Sequence, residues 1–174
     1  MAMFTAYFDA SGESNAGILT VAGCVSDFKK WKRFEERWRG ILQREGIKVF
    51  HMTDFASSRD EFKTWKGQTE RRRQFIADLL ECGRQNVNKA FAAVVMVGDY
   101  KEIDKRFQLR ESAGAPYAMA GYYCVRMVAR WQSKNNKVKE LEIAFESGDR
   151  HQSELRKLCR AEGMDPNFLG IPTL

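Results

Sequence analysis

Short apolar runs that alternate with longer stretches of helical period constrain this chain more than any other feature. Met3 to Asp9 (MFTAYFD) and Gly17 to Ser26 (GILTVAGCVS) are β-branched and aromatic, and the turn residues SGESNAG join them as an antiparallel hairpin. From Phe28 to about Glu45, the residues Phe28, Trp31, Phe34, Trp38, Ile41 and Leu42 return at three- and four-residue steps between Lys and Arg, which predicts a helix. An extended KVFH and an irregular MTDFASSRDEFKTWKGQ lead to a second helix, from about Thr69 to Arg84, so residues 47 to 87 read as an insertion. KAFAAVVMVG, from Lys89 to Gly98, is a nearly unbroken apolar run of the kind found in a central strand covered on both faces. Pro116 to about Gln132 sets Tyr117, Ala120, Cys124, Met127, Val128 and Trp131 on one helical face, with Pro in the first turn. Lys139 to Phe145 then predicts a strand, Arg150 to Ala161 a helix, and Asn167 to Leu174 a last strand. The order β-β-α-(insert)-β-α-β-α-β makes this an α/β protein whose mixed sheet is flanked by helices.

Composition narrows the reading. The 174 residues, 44% of them hydrophobic, suit one core of ordinary size, and without repeats, low-complexity tracts or Pro/Ser-rich linkers the expectation is a single domain over 1–174. Lys and Arg number 29 against 23 Asp and Glu, with a pI of about 9.2, which favours a polyanionic partner such as nucleic acid. Cys24, Cys82, Cys124 and Cys159 are far apart, form no C-x-x-C pair and sit in apolar patterns; they read as reduced core thiols and point to the cytoplasm. With no basic leader followed by an apolar stretch, and no run of about 18 apolar residues, a secreted or membrane-spanning class is not expected.

Two strands end alike. TAYFDASGE carries Asp9 at the end of the first strand and runs into Ser11-Gly12; EIAFESGDRHQSEL carries Glu146 after Phe145 and runs into Ser147-Gly148. Asp, Ser and Gly are turn residues in their own right, so either stretch alone reads as a turn. If the strand ending at Phe145 lies parallel beside the first, both carboxylates emerge beyond the carboxyl ends of their strands, where α/β proteins hold ligands. Converging carboxylates suit Mg²⁺ or Mn²⁺, hard cations that prefer oxygen. Carboxyl groups on the order of 4 to 8 Å apart can share one or two ions that activate water for phosphodiester hydrolysis.

Asp9-Ala10-Ser11-Gly12 and Phe145-Glu146-Ser147-Gly148 resemble the motifs of the bacterial family called domain of unknown function 3800, which is assigned to the ribonuclease H-like fold. LTVAGCV, the aromatic helix around Trp31 and Trp38, and Val49-Phe50-His51-Met52-Thr53-Asp54-Phe55 followed by Phe62 and Trp65 add to the similarity, which spans nearly the whole chain. The resemblance implies a ribonuclease H-like mixed sheet with a helical insertion between the second and third core strands. It also implies that Asp9 and Glu146 bind catalytic metals. Ala10 stands where the family more often has Glu; beside Asp9 on a strand it points to the opposite face, so the departure touches the motif more than the metal site. Members typically continue past a strand like Phe168 to Leu174 into a helix bearing a Gln-Ala-Ala-Asp-like segment, and this chain stops before it. That implies weak metal binding, little activity alone, and an apolar C-terminal sheet edge open to a second copy or a partner chain.

Other residues carry two readings each. Asp149 is a metal ligand, or a helix N-cap with Gln152 three residues on. Ser11 and His51 join Asp9 and Glu146 as catalytic candidates; His51 with Asp54 either assists proton transfer or anchors a loop. Arg71, Arg72 and Arg73, with Lys63, Lys66 and Arg84, are a grip for backbone phosphates or a solvated helix face. Trp31, Trp38 and Trp131 fall at core spacing, whereas Trp65, in the irregular insert, is the better candidate to stack on a base. The functional expectation is a divalent-metal-dependent nuclease or related phosphodiester-processing enzyme with water as nucleophile. The alternative is an inactive ribonuclease H-like scaffold that holds nucleic acid or a protein partner.

Overall fold

The computed structural model describes residues 3–12, 17–135, 138 and 140–170. Parts of three expected elements lie outside the described residues: 13–16 of the hairpin turn, 139 at the start of a strand, and 171–174 of the last strand. The chain packs as two compact units, Met1–Phe28 with Asn88–Leu174, and Lys29–Val87.

In the first unit the apolar runs pair into one sheet among the described residues, in the order β3-β2-β1-β4-β5: β1 (Met3–Ser11), β2 (Ile18–Asp27), β3 (Lys89–Met96), β4 (Glu140–Glu146) and β5 (Asn167–Leu169). β1–β2 and β2–β3 are antiparallel, whereas β4 runs parallel to both β1 and β5. Alternation along β1 sends Phe4, Ala6 and Phe8 into the core, where they meet Leu19, Val21 and Val25 of β2 and Phe145 of β4. Helix α6 (Pro116–Ser133) covers this face with Tyr117, Ala120, Cys124 and Val128, the face its spacing predicts. Full burial of each large apolar side chain here stabilises by roughly 1.5–3 kcal/mol. Helix α7 (Gln152–Arg160) packs on α6 at Gly121, where a Cβ would lie 2.8 Å from Leu155 Cδ2.

Two expectations are corrected in this unit. β3 is an edge strand, not a central one: Val94 and Met96 stay 59% and 50% exposed, and among the described residues β2 is its one partner in the sheet order. An unbroken apolar run records affinity for a pleated surface without saying how many neighbours it has. The same run hid a helix start, for α4 (Val97–Phe107) follows β3 directly through the buried Val97, and α5 (Leu109–Ala113) follows after Gln108 takes a left-handed φ of 51°. The cysteines are free as expected, with Cys82, Cys124 and Cys159 buried, and burial pushes the thiols of Cys124 and Cys159 up to about 12.

The second unit holds α1 (Phe28–Glu45) from Lys29 onward, α2 (Met52–Ser57), a 3₁₀ turn (Asp60–Trp65) and α3 (Thr69–Asn86). The stretch read as irregular is thus two short helical pieces, separated where Ser58 adopts a left-handed φ of 50°; each is too short to display a helical period. Ile41 and Leu42 of α1, Phe75, Leu79 and Cys82 of α3, and Phe55, Phe62 and Trp65 between them form a separate core. Its aromatic rings meet mostly edge to face, as Phe55–Phe62 and Trp65–Phe75 do at 5.2 Å. Among the described residues no helix is long and apolar enough to cross a membrane.

Candidate functional site

Asp9 and Glu146 are placed by the parallel pairing of β1 with β4. The register runs Met3 with Glu140 through Phe8 with Phe145, so its next step sets Asp9 beside Glu146, on strands about 4.8 Å apart. Asp9 pairs with Ala22, Ala22 with Ala92, and Glu146 with Leu169. One row across the sheet therefore reads Ala92, Ala22, Asp9, Glu146, Leu169. Alternation puts the row on the face opposite Phe8 and Phe145, while Ala10 packs against the core as its place beside Asp9 predicts. Asp9 is exposed and Glu146 half-buried, and a cleft of about 380 Å³ opens beside Glu146 between Tyr7, Phe8, Phe145, Leu169 and Gly170.

The Ser-Gly that follows each acid has a backbone reason. Gly12 sits at φ +92°, where a Cβ would fall 2.3 Å from the Ile18 carbonyl oxygen, and Gly148 sits at φ +126°. Both positions lie in the region L side chains avoid, so glycine lets the chain turn away three residues after Asp9, once β1 has ended at Ser11, and two residues after Glu146, where β4 ends. Asp9 Oδ1 accepts from the Ala10 N–H at 2.6 Å. Asp149, half-buried, accepts at Oδ1 from the His151 N–H at 2.7 Å, and Gln152, with its amide oxygen turned toward the loop, accepts from the Asp149 N–H at 3.1 Å. The capping role expected of Asp149 is corrected: His151 holds the cap position of α7, and the Asp149 carboxylate instead closes a turn onto the N–H two residues on, ahead of the helix.

Tyr117, in the first turn of α6, is 3% exposed, and its hydroxyl has no hydrogen-bond partner among the described residues. Burial raises its pKa well above the usual tyrosine value, and the charges of Asp149, Asp9 and Glu146 push it further the same way. The first turn of α6 is pinned from two sides. Tyr100 of α4 donates to the Gly114 carbonyl at 2.6 Å, and Glu154 of α7 accepts from the Ala115 N–H at 2.7 Å. Glu154 also accepts from Arg110 at 3.0 Å and faces His151 Nδ1 at 2.9 Å. Burial works to raise the Glu154 pKa, but the bonds from Ala115, His151 and Arg110 outweigh it and hold it below the usual carboxylate value. Arg150 Nε donates to His151 Nε2 at 3.0 Å, so the partners set the His151 tautomer with its proton on Nδ1.

The remaining candidates divide. Ser11 ends β1 opposite Thr20, two residues past Asp9 and on its face. His51 lies in the second unit, exposed, as the N-cap residue of α2, and Asp54 anchors its own loop through an ion pair with Arg59 at 3.6 Å. The stacking role expected of Trp65 is corrected: the ring is 2% exposed in the second core, and the Arg71 guanidinium covers it at 4.0 Å. Arg71 also pairs with Glu45 at 3.0 Å. Arg72 donates to the Phe55 carbonyl at 2.6 Å and lies 4.1 Å over the Phe55 ring. Arg73 pairs with Glu70 at 2.8 Å and keeps 70% of its side chain exposed. Two of the three arginines are thus built into the second unit. Sequence reasoning did not foresee the bonds that join Glu154 to Ala115, Arg110 and His151 at the start of α6.

Among the described residues, no group of three or more His, Cys, Asp and Glu side chains is gathered closely enough to hold a metal ion. The chain matches no protein-family model and no curated protein.

Proposed function

We propose that the first unit is a ribonuclease H-like, metal-dependent phosphodiesterase acting on nucleic acid, with Asp9 and Glu146 as ligands of Mg²⁺ or Mn²⁺. The observation that carries this reading is the shared row: parallel pairing of β1 and β4 brings two carboxylates to neighbouring positions at the carboxyl ends of adjacent strands. The donor set fits such an ion. Mg²⁺ commonly takes only one or two protein carboxylates and keeps waters and phosphate oxygens in its remaining positions. The resemblance to the domain of unknown function 3800 family favours the same two acids.

A bound divalent cation supplies a water of lowered pKa and offsets charge on the phosphodiester. Asp9 and Glu146 hold negative charge where the strands end, and the glycine turns carry the following chain away from them. The apolar walls of the cleft beside Glu146, including Tyr7 and Leu169, suit the face of a base. A formal net charge of +6 favours encounter with a polyanion. Labelled single-stranded, double-stranded and hybrid oligonucleotides, incubated with Mg²⁺ or Mn²⁺, test the proposal. Wild type is expected to cleave at least one of them. Asp9→Asn and Glu146→Gln are each expected to lower the rate by about a hundredfold or more, as loss of a metal ligand removes several kcal/mol of charge stabilisation. Cleavage unchanged by Asp9→Asn removes Asp9 from the mechanism, and binding without cleavage in either metal favours the inactive-scaffold alternative.

A further inference from the structure

We infer that a groove on the outward side of α6 is a nucleotide-binding site, with Arg126 and Arg130 for the phosphate and Tyr123, Met127 and Met164 for the base. The groove opens over about 690 Å³ between α6 and the turn that follows α7, within the roughly 300–1,000 Å³ of small-ligand pockets. It stands apart from the acidic row. α6 turns Ala120, Cys124 and Val128 toward the sheet face that carries Phe8 and Phe145, whereas Asp9 and Glu146 occupy the other face. Tyr123, Arg126 and Arg130 lie outside that packing and are exposed.

The wall opposite α6 is fixed by its own backbone. Gly163 takes a left-handed φ of +74°, the Met164 N–H donates to the Cys159 carbonyl and the Gly163 N–H to the Arg160 carbonyl, both at 3.0 Å. This paired closure ends α7 and sets Glu162 and Met164 in the groove. Met127 and Met164 rest against the main core, and their thioethers suit the edge or face of a ring. Tyr123 lines the same groove with 55% of its surface exposed, a rigid aromatic on which a base can stack.

Arg126 and Arg130 stand one helical turn apart, with Cβ atoms roughly 5–6 Å from each other, so both guanidinium forks reach one phosphate. Arg126 is held loosely: it donates to the Tyr122 hydroxyl at 3.3 Å and lies 3.6 Å from Glu162. Glu162 in turn accepts from the Tyr122 hydroxyl. Its carboxylate opposes a phosphate and competes for Arg126, so the groove offers two cations against one acid. The helix dipole favours Arg130 in the last turn of α6 with or without a ligand, but it gives no reason for an exposed tyrosine and two methionines beside the arginines.

Adenosine 5′-monophosphate, adenosine and inorganic phosphate are the probes, titrated calorimetrically into the full chain in EDTA, with a short single-stranded oligoadenylate beside them. The monophosphate is expected to saturate one site and to bind at least about tenfold more tightly than adenosine or phosphate, each of which supplies part of the contacts. Arg126→Gln and Arg130→Gln are each expected to weaken it about tenfold, and Tyr123→Ala about fivefold, whereas Tyr123→Phe binds as wild type does. Glu162→Gln is expected to tighten it about threefold by removing the charge that competes for Arg126. These side chains are exposed, so the variants are expected to unfold at the wild-type temperature. Asp9→Asn is expected to leave the titration unchanged, which separates the groove from the proposed metal site whichever of the two fails. An oligoadenylate that binds more tightly than the monophosphate, with the same loss in Arg126→Gln, assigns the nucleotide to a single strand; a monophosphate that displaces it assigns a free nucleotide. Absence of saturable binding by both, or binding unchanged in Arg126→Gln and Arg130→Gln, overturns the site. Phosphate binding as tightly as the monophosphate, with Tyr123→Ala without effect, overturns the nucleotide in favour of a plain anion site.

Discussion

Gly12 carries the strictest residue-level demand at the site. Its φ of +92° excludes ordinary side chains, and the Ile18 carbonyl 2.3 Å from any added Cβ leaves no room to relax. Gly148 shares the conformation, at φ +126°, but has open space around it. Gly12→Ala is therefore expected to destabilise the protein by about 2–4 kcal/mol and Gly148→Ala by about 1–2 kcal/mol, read as shifts in urea unfolding midpoints. Equal losses would show that backbone conformation alone sets the cost and that the Ile18 contact yields. The same contrast explains why Asp9-Ala10-Ser11-Gly12 is ambiguous as text. Its glycine serves the turn and its aspartate faces away from the core, so the two readings describe different residues of one motif.

Helices matter to this site by what they pin. α7 reaches α6 through Glu154, whose carboxylate gathers the Ala115 N–H, His151 and Arg110 at the turn that carries Tyr117. A carboxylate whose pKa is depressed on folding stabilises the native state fully above its unfolded value, about 4.5, and loses that contribution as pH falls through the lower folded value. Wild-type stability is thus expected to decline below about pH 4.5 in part through Glu154. Glu154→Gln should be less stable at pH 7 and show a smaller decline on acidification, measured by urea unfolding between pH 7 and 3. Parallel wild-type and variant curves across that range would show that Glu154 contributes nothing to the acid response. Sequence pattern placed α6 and α7 close to where they are found. It could not show that the Gln152–Arg160 helix clamps the start of the Pro116–Ser133 helix, because that contact joins residues 39 apart.

At the scale of the whole molecule the chain maintains two cores. Trp65, Phe62 and Phe75 close the core of Lys29–Val87, whereas Phe8, Phe145 and Val125 belong to that of the sheet unit. Trp65→Ala is expected to cost about 3–5 kcal/mol, as large aromatic truncations in a core do. Hydrogen exchange followed by mass spectrometry should localise the lost protection to Lys29–Val87 and leave β1, β2 and β4 protected. Uniform loss across both units would show that they open as one. The same variant bears on nucleic-acid contact, because a ring enclosed by Phe55, Phe62 and Phe75 and covered by Arg71 reaches no base without unfolding its surroundings.

Local pattern was enough to identify β1, β2, α1, α3 and α6, since period-2 and period-3.6 spacing are properties of a short segment and survive whatever it packs against. It also singled out Asp9 and Glu146, because a charged residue closing an apolar run is visible without a fold. Neighbour relations were not written there. That β3 lies at the sheet edge, that Trp65 points into a core, and that Glu154 meets the Ala115 N–H all depend on which distant segments come together. Hydrophobic burial drives that assembly through total buried area and not through sequence separation. The adjacency of Asp9 and Glu146 stands between the two cases: the acids are legible one strand at a time, and only the parallel register of β1 on β4 makes them a pair.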